Sequence, residues 1–383
     1  MVTNRSKVSK ILVVLHALRP GGAEGVAVYD AISLSNQGFA VGLASERGAL
    51  EKELHARAIR FHRLYFVDPE RYPKWLRYLL GLPISTVILF DLVLRHKYDC
   101  LYVHHRQSGI PSTVVSWLTG AKYVFISSSE QGKYNRGRFL TPLGQHVIAV
   151  SEQVKRNVIT NFHVPVRMVT VIPNATKTDV VKVDERSLRA FDEEWSIPTG
   201  SQVVACVASL VKVKGHDILL SAWKQVIYHF PQAVLILTGD GPLKKRLQSQ
   251  CKQLGIAQCV RFLGYVDDIS IIYSRASLVV LASRSEGLPL CILEAFAYGL
   301  PAVATAVSGT PEIVMPEKTG LLVEPDNPEQ LAQAIMRLLS DTQLRQQLGQ
   351  AGRHLVVEKY SASMRELVLG YYFRDLGRKL CLQ

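Results

Sequence analysis

The strongest constraint on the fold is a rhythm of short apolar runs separated by longer amphipathic segments. In the first half the runs fall near residues 11–15, 41–45, 101–104, 123–126, 146–150 and 170–172, and in the second near 203–208, 234–238, 261–263, 278–281, 302–304 and 321–323. Runs of this kind suit strands buried on both faces, as in a parallel sheet. The segments between them, such as 217–229, 243–254, 290–298 and 328–339, are long enough to be crossover helices. The expectation is an α/β chain with two open parallel sheets in tandem, six strands in each. A chain of 383 residues also exceeds what one core holds. The boundary is expected in the polar stretch 176–200, which carries Asp-Glu-Arg, a Glu-Glu pair and Pro198-Thr199-Gly200, with a short helix over 187–195. The domains are then 1–182 and 183–383, and the last helix, about 361–380, could pack back on the first. Open parallel sheets bind ligands beyond the carboxyl ends of their strands, so two such domains facing each other would form a cleft lined by the sites.

Composition removes several classes. With 48% hydrophobic and 20% charged residues, the chain lacks the bias of disordered or low-complexity proteins. The six cysteines contain no C-x-x-C pair, which argues against a zinc site or disulfide scaffold and for a reducing, cytoplasmic location. Residues 1–10 are polar and basic, and the apolar run 11–15 is too short for an export signal. The longest charge-free apolar stretch, 78–90, is interrupted by Gly81 and Pro83 and falls short of the roughly 20 residues needed to span a bilayer. Charge is unevenly distributed: residues 1–182 hold 24 Lys and Arg against 12 Asp and Glu, and residues 183–383 hold 21 against 20. A basic half can face nucleic acid, anionic lipid or a phosphorylated substrate. No nucleic-acid module accompanies it, so nucleic acid is set aside as a partner.

Chemistry-bearing residues gather at turns that follow strands. After the first strand, Arg19-Pro20-Gly21-Gly22-Ala23-Glu24 leads into a helix, and Gly21 and Gly22 let backbone N–H groups approach an anion. The dinucleotide pattern Gly-x-Gly-x-x-Gly is not met there. In the second half, Ser285-Glu286-Gly287-Leu288-Pro289-Leu290 precedes a helix that carries Glu294, with Pro289 suited to its first turn. N–H groups around Gly287, Leu288 and Pro289 can hold a phosphate or sugar oxygen, while Glu286 and Glu294 accept hydrogen bonds from hydroxyls. The same half has glycine turns at Gly239-Asp240-Gly241-Pro242 and Leu263-Gly264-Tyr265, and Lys212 and Lys214 stand in a third turn ending at Gly215. Two amines there match the charge of a diphosphate.

These residues resemble family 4 glycosyltransferases of the GT-B fold over essentially the whole chain. The resemblance rests on Pro20-Gly21-Gly22-Ala23-Glu24, Val150-Ser151-Glu152, Val171-Ile172-Pro173-Asn174, Lys214-Gly215, Gly239-Asp240-Gly241-Pro242, Glu286 with seven residues to Glu294, Ser308-Gly309-Thr310-Pro311-Glu312 and Thr319-Gly320-Leu321-Leu322-Val323. It implies two Rossmann-like domains, a second domain that binds a nucleotide-diphosphate sugar and a first that binds the acceptor. It also implies retaining transfer with no metal and no cofactor beyond the sugar nucleotide. Glu286 would contact the donor sugar, Glu294 the ribose, and Lys214 the diphosphate. Backbone near Gly264 and Tyr265 would read the base.

Two positions depart from the family pattern. Ser209 stands where an Arg usually precedes the Lys of the diphosphate pair, and Lys212 is the expected substitute. The segment Ser127-Ser128-Ser129-Glu130 lacks the family's His, leaving His104, with its neighbour His105, as the candidate catalytic histidine.

The reaction expected is transfer of a sugar to a saccharide acceptor, lipid-linked, as in lipopolysaccharide or other cell-envelope polysaccharide synthesis. The basic excess and the cluster Arg71, Lys74, Trp75, Arg77 and Tyr78 suit peripheral attachment to an anionic membrane on its cytoplasmic side. The rival readings are an inactive nucleotide-sugar-binding relative and a nucleotide-sugar epimerase. A nicotinamide-dependent dehydrogenase ranks last, because its glycine pattern is missing.

Overall fold

The computed structural model describes residues 8–18, 21–48, 50–65, 81–130, 143–181 and 183–378. It divides into two units, one of residues 1–173 joined by 365–383, the other of residues 174–364.

The first unit is built on a seven-stranded parallel sheet of β1 (Lys10–Ala17), β2 (Ala40–Glu46), β3 (Arg60–Arg63), β4 (Cys100–Val103), β5 (Lys122–Ser127), β6 (His146–Ala149) and β7 (Val169–Val171). Their order across the sheet is β3-β2-β1-β4-β5-β6-β7, with Ile11 opposite Val41 on one side and Cys100 on the other. The sequence predicted six strands here, and β3 is the addition. It pairs on one side only, its pattern Arg-Phe-His-Arg buries one side chain, and it therefore leaves no apolar run to read.

The second unit has the six expected strands: β8 (Val203–Val207), β9 (Val234–Thr238), β10 (Val260–Gly264), β11 (Leu278–Leu281), β12 (Ala302–Thr305) and β13 (Gly320–Val323). They are parallel, in the order β10-β9-β8-β11-β12-β13. Successive residues of each strand point to opposite faces. Val204, Cys206, Leu235 and Leu237 pack with Trp223, Leu331 and Ile335 on one face. Val203, Ala205, Val234 and Ile236 pack with Phe191 and Tyr273 on the other. Both faces are thus dry, which is why these strands read as unbroken apolar runs.

The break between units falls after Pro173, ahead of the expected boundary at residue 182. Arg365, from the helix Ala362–Arg378, donates to the carbonyls of Ile172 and Pro173 and holds them in the first unit. Thr176 instead bonds to Tyr360 and Ala362 in the second unit. The same arginine makes a two-pronged pair with Asp30 at 2.7 and 2.8 Å, and Tyr102 donates to that carboxylate at 2.8 Å. Further along the helix, Phe373 packs edge-on against Tyr102. These contacts assign the helix from Arg365 onward to the first unit.

In both sheets the strand order reverses at one place, between β1 and β4 and between β8 and β11. Loops leaving the carboxyl ends of such a strand pair diverge and open a crevice. Many of the residues singled out in the sequence lie on these loops: Gly21 and Gly22 after β1, His104 and His105 after β4, Lys212 and Lys214 after β8, and Glu286 to Pro289 after β11.

Candidate functional site

The site is built most fully in the second unit. After β8 a short 3-10 turn, Lys212–Lys214, ends at Gly215, where φ is +64° and an added Cβ would lie 1.9 Å from the carbonyl oxygen of Ala282. Only glycine permits both the left-handed backbone and this close approach. It brings the Lys212–Lys214 turn against the loop that follows β11. There the Arg284 N–H donates to the Val213 carbonyl, and its guanidinium donates to the Lys212 carbonyl, Asp217 and Asp326. The two loops are held as one body.

On that body the Lys214 Nζ lies 2.6 Å from Oε1 of Glu286, whose side chain is 8% exposed. The Ser283 hydroxyl donates to the same oxygen at 2.6 Å, and the Glu286 N–H donates to the Ser308 hydroxyl. Burial works against the Lys214 ammonium, but the adjacent Glu286 carboxylate outweighs it and raises the pKa, so the lysine stays charged. His216, buried at the start of the helix His216–His229, is held neutral. Burial, with Lys214 nearby, lowers its pKa to about 4.

The helix Leu290–Ala297 begins at Pro289, and the N–H groups of its first turn have no partner within the helix. Gly287, Leu288 and Pro289 are buried, and the Leu288 carbonyl accepts from the Asn174 side chain at 2.8 Å. One turn into the helix, Glu294 accepts from the Tyr273 hydroxyl at 2.7 Å. Burial pushes the Glu294 carboxyl up, and the Tyr273 bond pulls it back in part. This arrangement offers one ammonium, a helix N-terminus and two carboxylates, a set that matches a ligand with both phosphate and hydroxyl groups.

At the neighbouring strand ends, the Gly239 N–H donates to the Gly264 carbonyl at 2.7 Å. Gly239 has φ +132°, and an added Cβ would lie 2.3 Å from the Ala208 carbonyl oxygen. Tyr265 is exposed beside this pair. Lys212 is exposed, and in a 3-10 turn of three residues its side chain leaves about two thirds of a turn from that of Lys214. The structure therefore joins Lys214, Glu286 and Ser283 but does not bring the Lys212 ammonium into that group. Tyr273, Ser283 and Arg284 were missed in the sequence. Tyr273 lies on a short helix, Ser270–Arg275, with no motif to mark it.

In the first unit, Gly21 caps the helix Gly22–Asn36 with extended backbone. His104 lies inside the unit, 3% exposed and packed against the Tyr102 ring. Burial holds its pKa well below the usual range. His105 is the histidine that reaches Glu24 of the Gly22 helix, at 3.9 Å. The residues Arg71, Lys74, Trp75, Arg77 and Tyr78 lie outside the described residues. Among the described residues no group of three or more His, Cys, Asp or Glu side chains is placed to hold a metal ion.

Comparison with known proteins bears on the family and the fold. The family model described as Glycosyltransferase Family 4 matches residues 20–180, and that described as Glycosyl transferases group 1 matches residues 189–355. An uncharacterized glycosyltransferase of Methanocaldococcus jannaschii is 27% identical over 78% of this chain and 80% of its own length. A lipopolysaccharide core biosynthesis glycosyltransferase of Rhizobium meliloti is 31% identical over 56% of this chain and 59% of its own length, so that match spans under two thirds of the relative. Among solved structures, Anabaena HepE in complex with UDP-glucose superposes with a TM-score of 0.83 at 21% identity, over 96% of this chain and 99% of that one. With one model on each half and two parallel-sheet units of this fold, the chain belongs to the family 4 glycosyltransferases, with the GT-B fold.

Proposed function

We propose that this glycosyltransferase moves a sugar from a nucleotide-diphosphate sugar to a lipid-linked saccharide, with retention of configuration and without a metal, in cell-envelope polysaccharide synthesis. The observation that carries the reading is the Lys214–Glu286 pair beside the start of the Leu290–Ala297 helix, with Glu294 held by Tyr273. In this reading Glu294 accepts from the ribose hydroxyls and Lys214 leaves Glu286 for the diphosphate. The first-turn N–H groups share the phosphate charge. Glu286, released from the lysine, accepts from hydroxyls of the donor sugar. The C1–O bond to the diphosphate breaks as the acceptor oxygen bonds to C1 from the same face, and the departing phosphate oxygen takes the acceptor proton. Gly21 and Gly22 are assigned to the phosphate charge that develops as the donor bond breaks, and His105 is the first-unit histidine assigned to the reaction.

The named lipopolysaccharide relative and the basic first half support a lipid-linked acceptor at the cytoplasmic face of a membrane. No helix among the described residues is long and apolar enough to cross a bilayer. The test is to incubate the protein with uridine, guanosine and adenosine diphosphate sugars and a lipid-linked saccharide, then determine the anomeric configuration of the product by NMR. A product that keeps the donor's configuration is expected. Inversion would overturn the mechanism, and donor binding with no transfer to any acceptor would mark an inactive nucleotide-sugar-binding relative.

A further inference from the structure

We propose that the first unit docks on an anionic bilayer through one face formed by the helices Leu82–His96 and Arg106–Thr119, with Trp117 and Val87 entering the interfacial layer. This rests on the lipid-linked acceptor proposed above.

The two helices pack against each other, yet each leaves apolar side chains in water. On the first, Ile84, Val87 and Leu94 are exposed, Val87 at 68%. At 3.6 residues per turn these share about 100° of arc with Asp91 and Arg95. On the second, Val114, Trp117 and Leu118 are exposed, Trp117 at 82%, and they share a similar arc. Scattered apolar residues on a surface are ordinary, but six on two neighbouring helices form a patch of the kind that marks an interaction site.

The charges around the patch select the partner. Asp91 is the acidic residue on the exposed arc of the first helix, and Arg95 neutralises it at 2.6 Å. The helix Arg106–Thr119 contains no Asp, Glu or Lys. Beside the first helix runs β3, tied to it at one end by Arg60 to His96 at 2.9 Å and at the other by Ser85 donating to the Tyr65 carbonyl. This edge carries Arg60 and Arg63, with the Arg63 guanidinium stacked over the half-exposed Tyr65 ring, and Lys97 is exposed at the helix end. An apolar centre, aromatic rings at its margin and a basic rim complement an anionic headgroup layer over acyl chains.

The experiment is sedimentation with phosphatidylcholine vesicles, with and without phosphatidylglycerol. It uses wild type, Trp117→Ser, Val87→Ser, the double variant, and Tyr228→Ser as a control. Tyr228 is 81% exposed in the second unit, so it tests for a generic effect of surface aromatics. Wild type should bind the anionic vesicles and be released as salt rises from about 0.1 to about 1 M. Each single variant should bind about tenfold more weakly and the double variant more weakly still. Tyr228→Ser should match wild type, and transfer to a detergent-solubilised lipid-linked acceptor should be unchanged in all four variants. Equal binding by wild type and the double variant, no binding by wild type, or a solution dimer abolished by Trp117→Ser would each overturn the docking face. Vesicle binding as expected, without transfer to the solubilised acceptor, would leave the face standing and reject the acceptor reading alone.

Discussion

Replacing Lys214 by Met would leave the Glu286 carboxylate 8% exposed with Ser283 as its remaining side-chain donor. Removing one partner of a fully buried ion pair costs about 3–5 kcal/mol, because the other charge is left desolvated and unpaired. Lys214 is 24% exposed, water reaches one side of the pair and the Ser283 bond survives, so roughly half of that cost applies, about 2 kcal/mol. Glu286→Gln made in the Lys214→Met background removes the stranded charge and should restore about 1–2 kcal/mol. Urea unfolding of the wild type, both single variants and the double variant at neutral pH gives this coupling directly. Donor binding should separate the same variants. Lys214→Met loses a charge-assisted bond to the diphosphate and weakens nucleoside diphosphate binding about ten- to a hundredfold. Glu286→Gln frees Lys214, keeping or improving that affinity while lowering turnover with the sugar nucleotide. A Lys214→Met variant as stable as wild type, or one that Glu286→Gln does not rescue, would refute the paired-charge reasoning.

Three further outcomes follow from neighbouring residues. Tyr273→Phe, which deletes the hydroxyl on Glu294, should raise the donor Kd about three- to tenfold with little change in kcat; a drop in kcat alone would place Glu294 away from the nucleotide. Gly215→Ala must displace the Ala282 carbonyl and adopt a left-handed backbone, costing on the order of 2 kcal/mol or more in thermal unfolding and loosening donor binding with it. His216 is held neutral with a pKa of about 4 against about 6.5 unfolded. Its contribution is therefore whole above pH 6.5 and is lost as pH falls toward 4, on the order of 2–3 kcal/mol between pH 7.5 and 4.5. His216→Gln should flatten that part of the acid limb, as urea midpoints at the two pH values would show.

The parts of this fold that were legible in the sequence are those buried on two sides. β8, β9 and β11 print as apolar runs because both faces of the second sheet are covered. β3, an edge strand with charged residues at either end, prints nothing recognisable. The polar stretch 176–200 belongs to the second unit, so the break after Pro173 precedes it. What defines the break is Arg365, nearly two hundred residues away from Pro173 in the chain. In the candidate site, Glu286 and Lys214 stand out because glycines mark their loops, and Glu294 because Pro289 marks the start of the helix that carries it. Tyr273 and Ser283 act through side-chain bonds formed only once the strands have aligned. Adjacent residues can also be told apart only in three dimensions: His104 turns inward onto Tyr102, and His105 meets Glu24.

Binding of a nucleotide-diphosphate sugar by the second unit through Glu294 and Lys214 is tested most directly by calorimetric titration. Uridine, guanosine and adenosine diphosphate sugars would be titrated into wild type and into Glu294→Ala. At least one should bind the wild type at a single site, and Glu294→Ala should bind it about ten- to a hundredfold more weakly, the worth of hydrogen bonds to a charged acceptor. Saturable binding of equal strength in both proteins, or no binding of any of these donors to the wild type, would rule out this site as the sugar-nucleotide site.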